Sequence, residues 1–178
     1  MDQQYITIIT FGHFEIDLLE KVGEAVSSEF SISVRLKAAH VDLSEMYDIS
    51  RQQYDGNSLL SEVDAMHLPN SVKTIGLFNV DLFIPILTYI FGQARLGGET
   101  GIASLHRLNN VHYGMPLDED LLAERFVKEV IHELGHTFGL MHCKVPGCVM
   151  QSSTYVEDID QKSKNFCRQC FNMMQLKR

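Results

Sequence analysis

Ala123, Phe126, Val127, Val130, Ile131, Leu134 and Phe138 recur at three- and four-residue steps, the spacing of one apolar helix face. Pro116 and the acids Asp118, Glu119 and Asp120 stand where a helix start favours them, and Gly139 marks the end. No other segment constrains the fold as much, because this helix also carries His132-Glu133-x-x-His136. Four residues are just over one turn, so the two imidazoles project side by side from one face. The expectation is a helix anchored by its seam, with its histidines facing a cleft.

Two nitrogens hold a zinc ion poorly. Gly139 lets the chain leave the helix in a conformation costly for other residues, and His142 can then return as third ligand. Three histidines and a water make the open tetrahedral site of catalytic zinc. Glu133 lies about 100° round the helix from His132, near the metal without being forced to bind it. Zinc lowers the pKa of its water to ~7, and Glu133 as general base takes the proton. That is the chemistry of hydrolysing an unactivated peptide bond by attack of a zinc-bound water. The bland alternative is a helix with incidental surface histidines and a C-cap glycine. His132, Glu133, His136, Gly139 and His142 together weigh against it.

All four cysteines fall after residue 142. Cys143-x4-Cys148 and Cys167-x2-Cys170 are two pairs at spacings that let both sulfurs of each reach one ion. Together they make a closed four-thiolate zinc site. Pro146 and Gly147 favour the turn inside the first pair. Free buried thiols, two disulfides, or a redox pair at Cys167-x-x-Cys170 remain as alternatives. The expected inventory is two zinc ions per chain, one catalytic and one structural.

The remaining composition excludes more than it identifies. The 178 residues suit one compact domain, with residues 1–139 carrying the helix motif and 140–178 forming a small C-terminal subdomain stapled by the cysteines. A formal charge of −8 with no basic block argues against nucleic-acid binding. The uncharged run from Leu82 to Phe91 is ten residues with Pro85 inside it, short of the ~20 a membrane span needs. MDQQYITIIT lacks the basic region of a signal peptide, so a cytoplasmic protein with reduced thiols is expected.

Upstream, YITIITFG (5–12) reads as a buried strand, and Ile16, Leu19, Val22, Val26 and Phe30 as an amphipathic helix. Residues 31–41 read as a second strand, 58–67 as a short helix before Pro69, and 71–84 as a third strand region. Residues 91–108 read as two strands joined by a Gly-rich turn, with Ile102–Leu108 a candidate edge strand. A last helix is expected at about 160–176. His13, His40, His67, His106 and His112 read as isolated surface or hydrogen-bonded histidines.

HExxHxxGxxH with a following methionine is similar to the metzincin signature. With Cys143, Cys148-Val149-Met150 and Cys167-x2-Cys170, the chain resembles the archaemetzincins, zinc metalloproteases of that clan. The stretch between Met150 and Cys167 is sixteen residues. Phe91-Gly92 and the Ile102–Leu108 strand also resemble that family. The resemblance implies an α+β, zincin-like fold: a twisted mixed β-sheet packed on an active-site helix and a backing helix, with a zinc-stapled helical C-terminal subdomain. It implies zinc on His132, His136 and His142, Glu133 as base, Met150 packed under the metal, and structural zinc on the four cysteines. It also implies a peptide or protein substrate paired as an extended strand to the edge around Ile102–Leu108. Tyr155 is read as a partly buried structural tyrosine, with an oxyanion-donor role as the alternative. A monomer is expected. The rival reading is a zinc-stabilised peptide-binding module without turnover, which would need the ligands but not Glu133.

Overall fold

The computed structural model describes residues 4–177. β1 (Tyr5–Phe11) is buried along its whole length. Its side chains alternate between two cores, as a strand's period of two requires: Ile6 and Ile8 enter one, Ile9 and Phe11 the other. α1 (Ile16–Phe30) and β2 (Ser33–Ala39) follow, and β2 pairs parallel to β1. The chain then makes β3 (Tyr47–Asp48), β4 (Gln53–Asp55) and α2 (Gly56–Asp64). Asp55 caps α2 by accepting from the Asn57 N–H at 3.1 Å. β5 (Ser71–Phe78), β6 (Leu82–Ile84), β7 (Leu87–Ile90), β8 (Gly92–Ala94) and β9 (Thr100–Ser104) complete the strands.

The main sheet runs β2-β1-β5-β9-β8, parallel except for β8, which pairs antiparallel to β9. A smaller sheet runs β3-β4-β6-β7. α3 (Glu119–Thr137) packs with α1 on one face of the main sheet, where Val22, Phe30, Phe126 and Val130 join Ile6 and Leu77 in one core. Leu59, Leu60 and Val63 of α2, with Leu82 and Ile90, cover the other face. α4 (Val156–Asp160) and α5 (Arg168–Gln175) close the chain, and Val149, Met150, Ile159, Phe166 and Met174 belong to the α1–α3 core. The α+β fold is thus as expected, and α2 is the short helix read at 58–67; the small sheet is the layer the sequence did not announce.

Arg125, 3% exposed, fixes α4 to α3. Its guanidinium holds Asp160 through two hydrogen bonds of 2.6 and 2.7 Å and also donates to the Leu108 carbonyl and Asn110. That two-pronged geometry suits a buried arginine, since every carboxylate lone pair facing it is met.

Four expectations need correction. Ile102–Leu108 is not an edge strand: β9 is buried throughout and lies between β5 and β8, so the edge is β8. The strand ends at Ser104, whose hydroxyl donates to the Val80 carbonyl and accepts the Val80 N–H, and residues 106–108 form a 3-10 turn. Residues 71–84 are two strands in different sheets, parted where Asp81 turns to meet Arg107 at 2.6 Å. The helix expected at 160–176 starts only at Arg168. Residues 161–167 are held off-axis instead, where Ser163 donates to the Gly147 carbonyl and Asn165 accepts from Val149. His106 and His112 are not isolated, for their rings meet with centroids 4.0 Å apart, tilted by 36°.

Candidate active site and cysteine cluster

α3 begins at Asp118, whose carboxylate accepts the Leu121 N–H at 2.9 Å. It ends where Gly139 takes φ +78°, the left-handed region that glycine enters without cost. The Gly139 N–H still bonds the His136 carbonyl, and the Leu140 N–H the Gly135 carbonyl. This reversal folds residues 140–142 back over the last turn.

The three imidazoles converge there. Ring centroids lie 4.6 Å apart for His132 and His136, 5.4 Å for His132 and His142, and 5.0 Å for His136 and His142. One ligand nitrogen from each falls within 4.8 Å of the other two. The tautomers follow from the partners. His132 Nδ1 meets the Val149 carbonyl at 2.8 Å, and His136 Nδ1 meets the Leu140 carbonyl at 2.7 Å. A carbonyl only accepts, so each Nδ1 carries the proton and each Nε2 presents a lone pair. Those two Nε2 atoms lie 3.1 Å apart. Facing lone pairs at that distance call for a cation between them. Two nitrogens ~2.0–2.1 Å from a tetrahedral zinc would be about 3.3 Å apart, so the donor set fits zinc.

Burial holds His132 well below the ordinary imidazole range, and the Lys162 charge adds to that. Burial likewise lowers His136 and His142. The site therefore favours neutral, ligating imidazoles. Gly135 leaves the underside of the helix bare, and a Cβ there would overlap Met150 Sδ.

A cleft of about 440 Å³ opens over these residues, walled by β8 on one side and by residues 152–154 on the other. Glu133 lines it and is 5% exposed, its side chain close against Gly92 of β8. Burial pushes Glu133 well above the usual carboxylate range, and Glu129 pushes it further. Glu129, one turn earlier on α3 and 4% exposed, lines the same cleft, and burial raises it too. Lys162 reaches the same cleft from the loop after α4, donating to the Gln151 carbonyl at 2.9 Å. Sequence reading missed Glu129 and Lys162. The only signal for Glu129 was its i−4 spacing from Glu133, and Lys162 had none. Tyr155 is 63% exposed, not partly buried. Its backbone N–H donates to Asp158 at 2.9 Å and its carbonyl accepts the Asp158 N–H at 3.1 Å.

The four sulfurs of Cys143, Cys148, Cys167 and Cys170 also lie within 4.8 Å of one another, unbonded. Cys143 Sγ and Cys167 Sγ are 3.8 Å apart. A disulfide needs about 2.05 Å, whereas sulfurs ~2.3 Å from one tetrahedral zinc stand about 3.8 Å apart. N–H groups of Val145, Cys167 and Cys170 point at Cys143, Cys148 and Cys167 sulfurs at 3.3–3.5 Å, as thiolates require.

Among known proteins, the sequence model of peptidase family M54 matches residues 4–178. The archaemetzincin of Pyrococcus furiosus is 35% identical over 176 residues, covering 96% of this chain and 92% of the relative. That of Methanopyrus kandleri is 40% identical over 159 residues, covering 89% and 86%. The crystal structure of the M. kandleri archaemetzincin superimposes with a TM-score of 0.85 at 34% identity, over 97% of this chain and 95% of the other. A crystal structure described as a zinc-dependent peptidase, from Methanocorpusculum labreanum, gives 0.86 at 29% identity, over 95% and 99%. Matched over nearly its whole length by both family and relatives, the chain belongs to peptidase family M54, the archaemetzincin metallopeptidases.

Proposed function

We propose that the chain hydrolyses peptide bonds with one zinc held by His132, His136 and His142, and that Glu133 is the general base. The observation that carries this reading is the convergence of three imidazoles beside a buried carboxyl group on the floor of one cleft. Zinc bound there would supply Lewis acidity to a substrate carbonyl and to a water. Glu133 Oε takes the proton from the attacking water and passes it to the leaving amine. The Val149 and Leu140 carbonyls keep both imidazoles in the tautomer that leaves Nε2 free. Substrate lies as an extended strand along β8, the open edge beside the cleft. Cys143, Cys148, Cys167 and Cys170 hold a second, structural zinc, which joins residues 140–178 to the body of residues 1–139. Among the described residues no helix is long and apolar enough to cross a membrane, and we place the protein in the cytoplasm as a monomer.

Turnover of a fluorogenic peptide library tests the reading. Cleavage should vanish with a zinc chelator and return with added zinc. A protein loaded with both zincs that cuts nothing would instead be a peptide-binding module.

A further inference from the structure

We propose that Lys73 is a positioning residue for substrate, clamping the β8–β9 turn to the end of α3 and so fixing the edge strand beside the histidines. The proposal rests on the reading of β8 as the edge along which substrate lies. β5 pairs parallel to β9 with Thr74 opposite Thr100, and the Thr74 N–H donates to the Glu99 carbonyl at 2.8 Å. Lys73 therefore stands where the turn enters β9. Its ammonium donates to the Gly98 carbonyl in the turn at 2.7 Å. It also donates to the carbonyl of Thr137, the last residue of α3, at 3.0 Å. The Phe138 ring, its centroid 4.9 Å from the ammonium, adds an aromatic face.

The helix end explains why a cation sits there. The last carbonyls of an α-helix have no partner within it and carry partial negative charge. In α3 the Leu134 and Gly135 carbonyls accept from Phe138 and Leu140, and the His136 carbonyl from Gly139. The His136 carbonyl also accepts the Gly97 N–H of the turn at 2.9 Å, beside the bond from Lys73 to Thr137. Gly97 and Lys73 together fasten the turn to the helix end that carries His136. The same turn carries Leu96, which lines the cleft and is 56% exposed. Arg95 ties it to α2 as well, through Asp64 at 2.8 Å. β8 is three residues long and has β9 as its one neighbour in the sheet, so its Ala94 end depends on what holds the turn. A strand paired with β8 inherits its distance from the histidines. Moving the turn therefore moves the scissile carbonyl.

The experiment compares wild type, Lys73→Met, Lys73→Gln and Lys73→Arg as zinc-loaded proteins on two substrates. One is a fluorogenic peptide from the library that the wild type cleaves, long enough to pair along β8. The other is the same peptide cut to the two residues flanking the scissile bond. The readouts are kcat and KM on each, zinc content and thermal midpoint. Lys73→Met should lower kcat/KM about 10-fold on the long peptide, the scale of a small misplacement, and less than about twofold on the short one, with zinc unchanged. Lys73→Gln, one bond shorter and unable to span both carbonyls, should show the same split, so the test stands even where the Met variant does not fold. Lys73→Arg keeps the charge and several donors and should restore most of the long-peptide rate. The proposal is overturned if both substrates lose equally, if neither loses, or if zinc is lost, as for a merely structural lysine. Arg no better than Met would overturn it too. A wild type that gains nothing from the longer peptide would remove the β8 reading itself and the proposal with it, a separate outcome.

Discussion

The Nδ1–H of His132 donates to the carbonyl of Val149 at 2.8 Å, and Val149 stands between Cys148 and Met150. An imidazole on the long helix is therefore oriented by the loop that carries the cysteines. The Cys143 N–H strengthens the link by donating to the Met150 carbonyl at 2.9 Å, as does the Val149 N–H by donating to Asn165. The cysteine cluster and the histidine site are mechanically in series.

Cys148→Ala or Cys170→Ala should consequently cost stability first and activity second. Both thiols are buried, and the binding energy of a structural zinc is part of the folding energy of the residues that hold it. The thermal midpoint should fall by more than about 5 °C, protease sensitivity should rise between residues 140 and 178, and one zinc should be lost per chain. His142→Ala should also lose one zinc and most turnover. The α3 seam is untouched in that variant, so its fold should survive. A Cys148→Ala protein with two zincs and an unchanged midpoint would refute this division of labour.

Glu133→Gln should keep fold and metal yet lower kcat ~10²–10⁴-fold, the usual worth of general base catalysis. Amide and carboxylate are nearly the same size, so packing against Gly92 is preserved while proton acceptance is removed. Metal analysis and peptide turnover on one preparation decide the matter.

The long helix, its glycine stop and the two donor clusters were legible because each is local. Periodicity sets the α3 seam, and i, i+4 spacing sets the adjacency of His132 and His136. What the sequence hid depends on contacts distant along the chain. Lys162 is an ordinary exposed-looking lysine until α4 folds it against α3. Ile102–Leu108 was read as an edge strand, yet β8 pairs along its outer side. That pairing is set by the β8–β9 turn, whose Gly97 N–H bonds the His136 carbonyl at the end of α3. The late start of α5 was passed over although Asp160 to Asn165 offer no apolar residue to a helix face; Cys167 serves as N-cap.

Gly92→Ala should damage turnover more than stability. A Cβ at Gly92 would stand 2.7 Å from Glu133 Cγ and 2.7 Å from the Ile102 carbonyl, so either Glu133 or the edge strand must move. Overpacking of this kind costs about 1–3 kcal/mol, while displacement of the base by a fraction of an ångström to an ångström costs up to about 100-fold in rate. The expected result is a kcat reduced at least about 10-fold with zinc content unchanged. Full activity in the alanine variant would show that β8 does not hold Glu133 in place.

His106, whose ring meets that of His112, should make stability depend on pH near neutrality. Burial holds His106 below the ordinary imidazole range. The neighbouring His112 and Arg107 act in the same direction, and Asp81 opposes them. Asp81 is already engaged by two hydrogen bonds of 2.6 and 2.7 Å from Arg107, which weakens that opposition. The folded pKa therefore lies below the unfolded value of ~6.5. Above that value neither state binds the proton, and the contribution of neutral His106 is fully present. As pH falls below it, the unfolded chain takes up a proton that the folded chain resists, so stability declines until the folded pKa is passed. His106→Phe keeps an aromatic ring against His112 and removes this titration, leaving every other ionising group common to both proteins. Thermal midpoints measured from pH 7.5 to 5.5 in excess zinc should fall more steeply for the wild type than for His106→Phe. Parallel curves would show that His106 does not resist protonation.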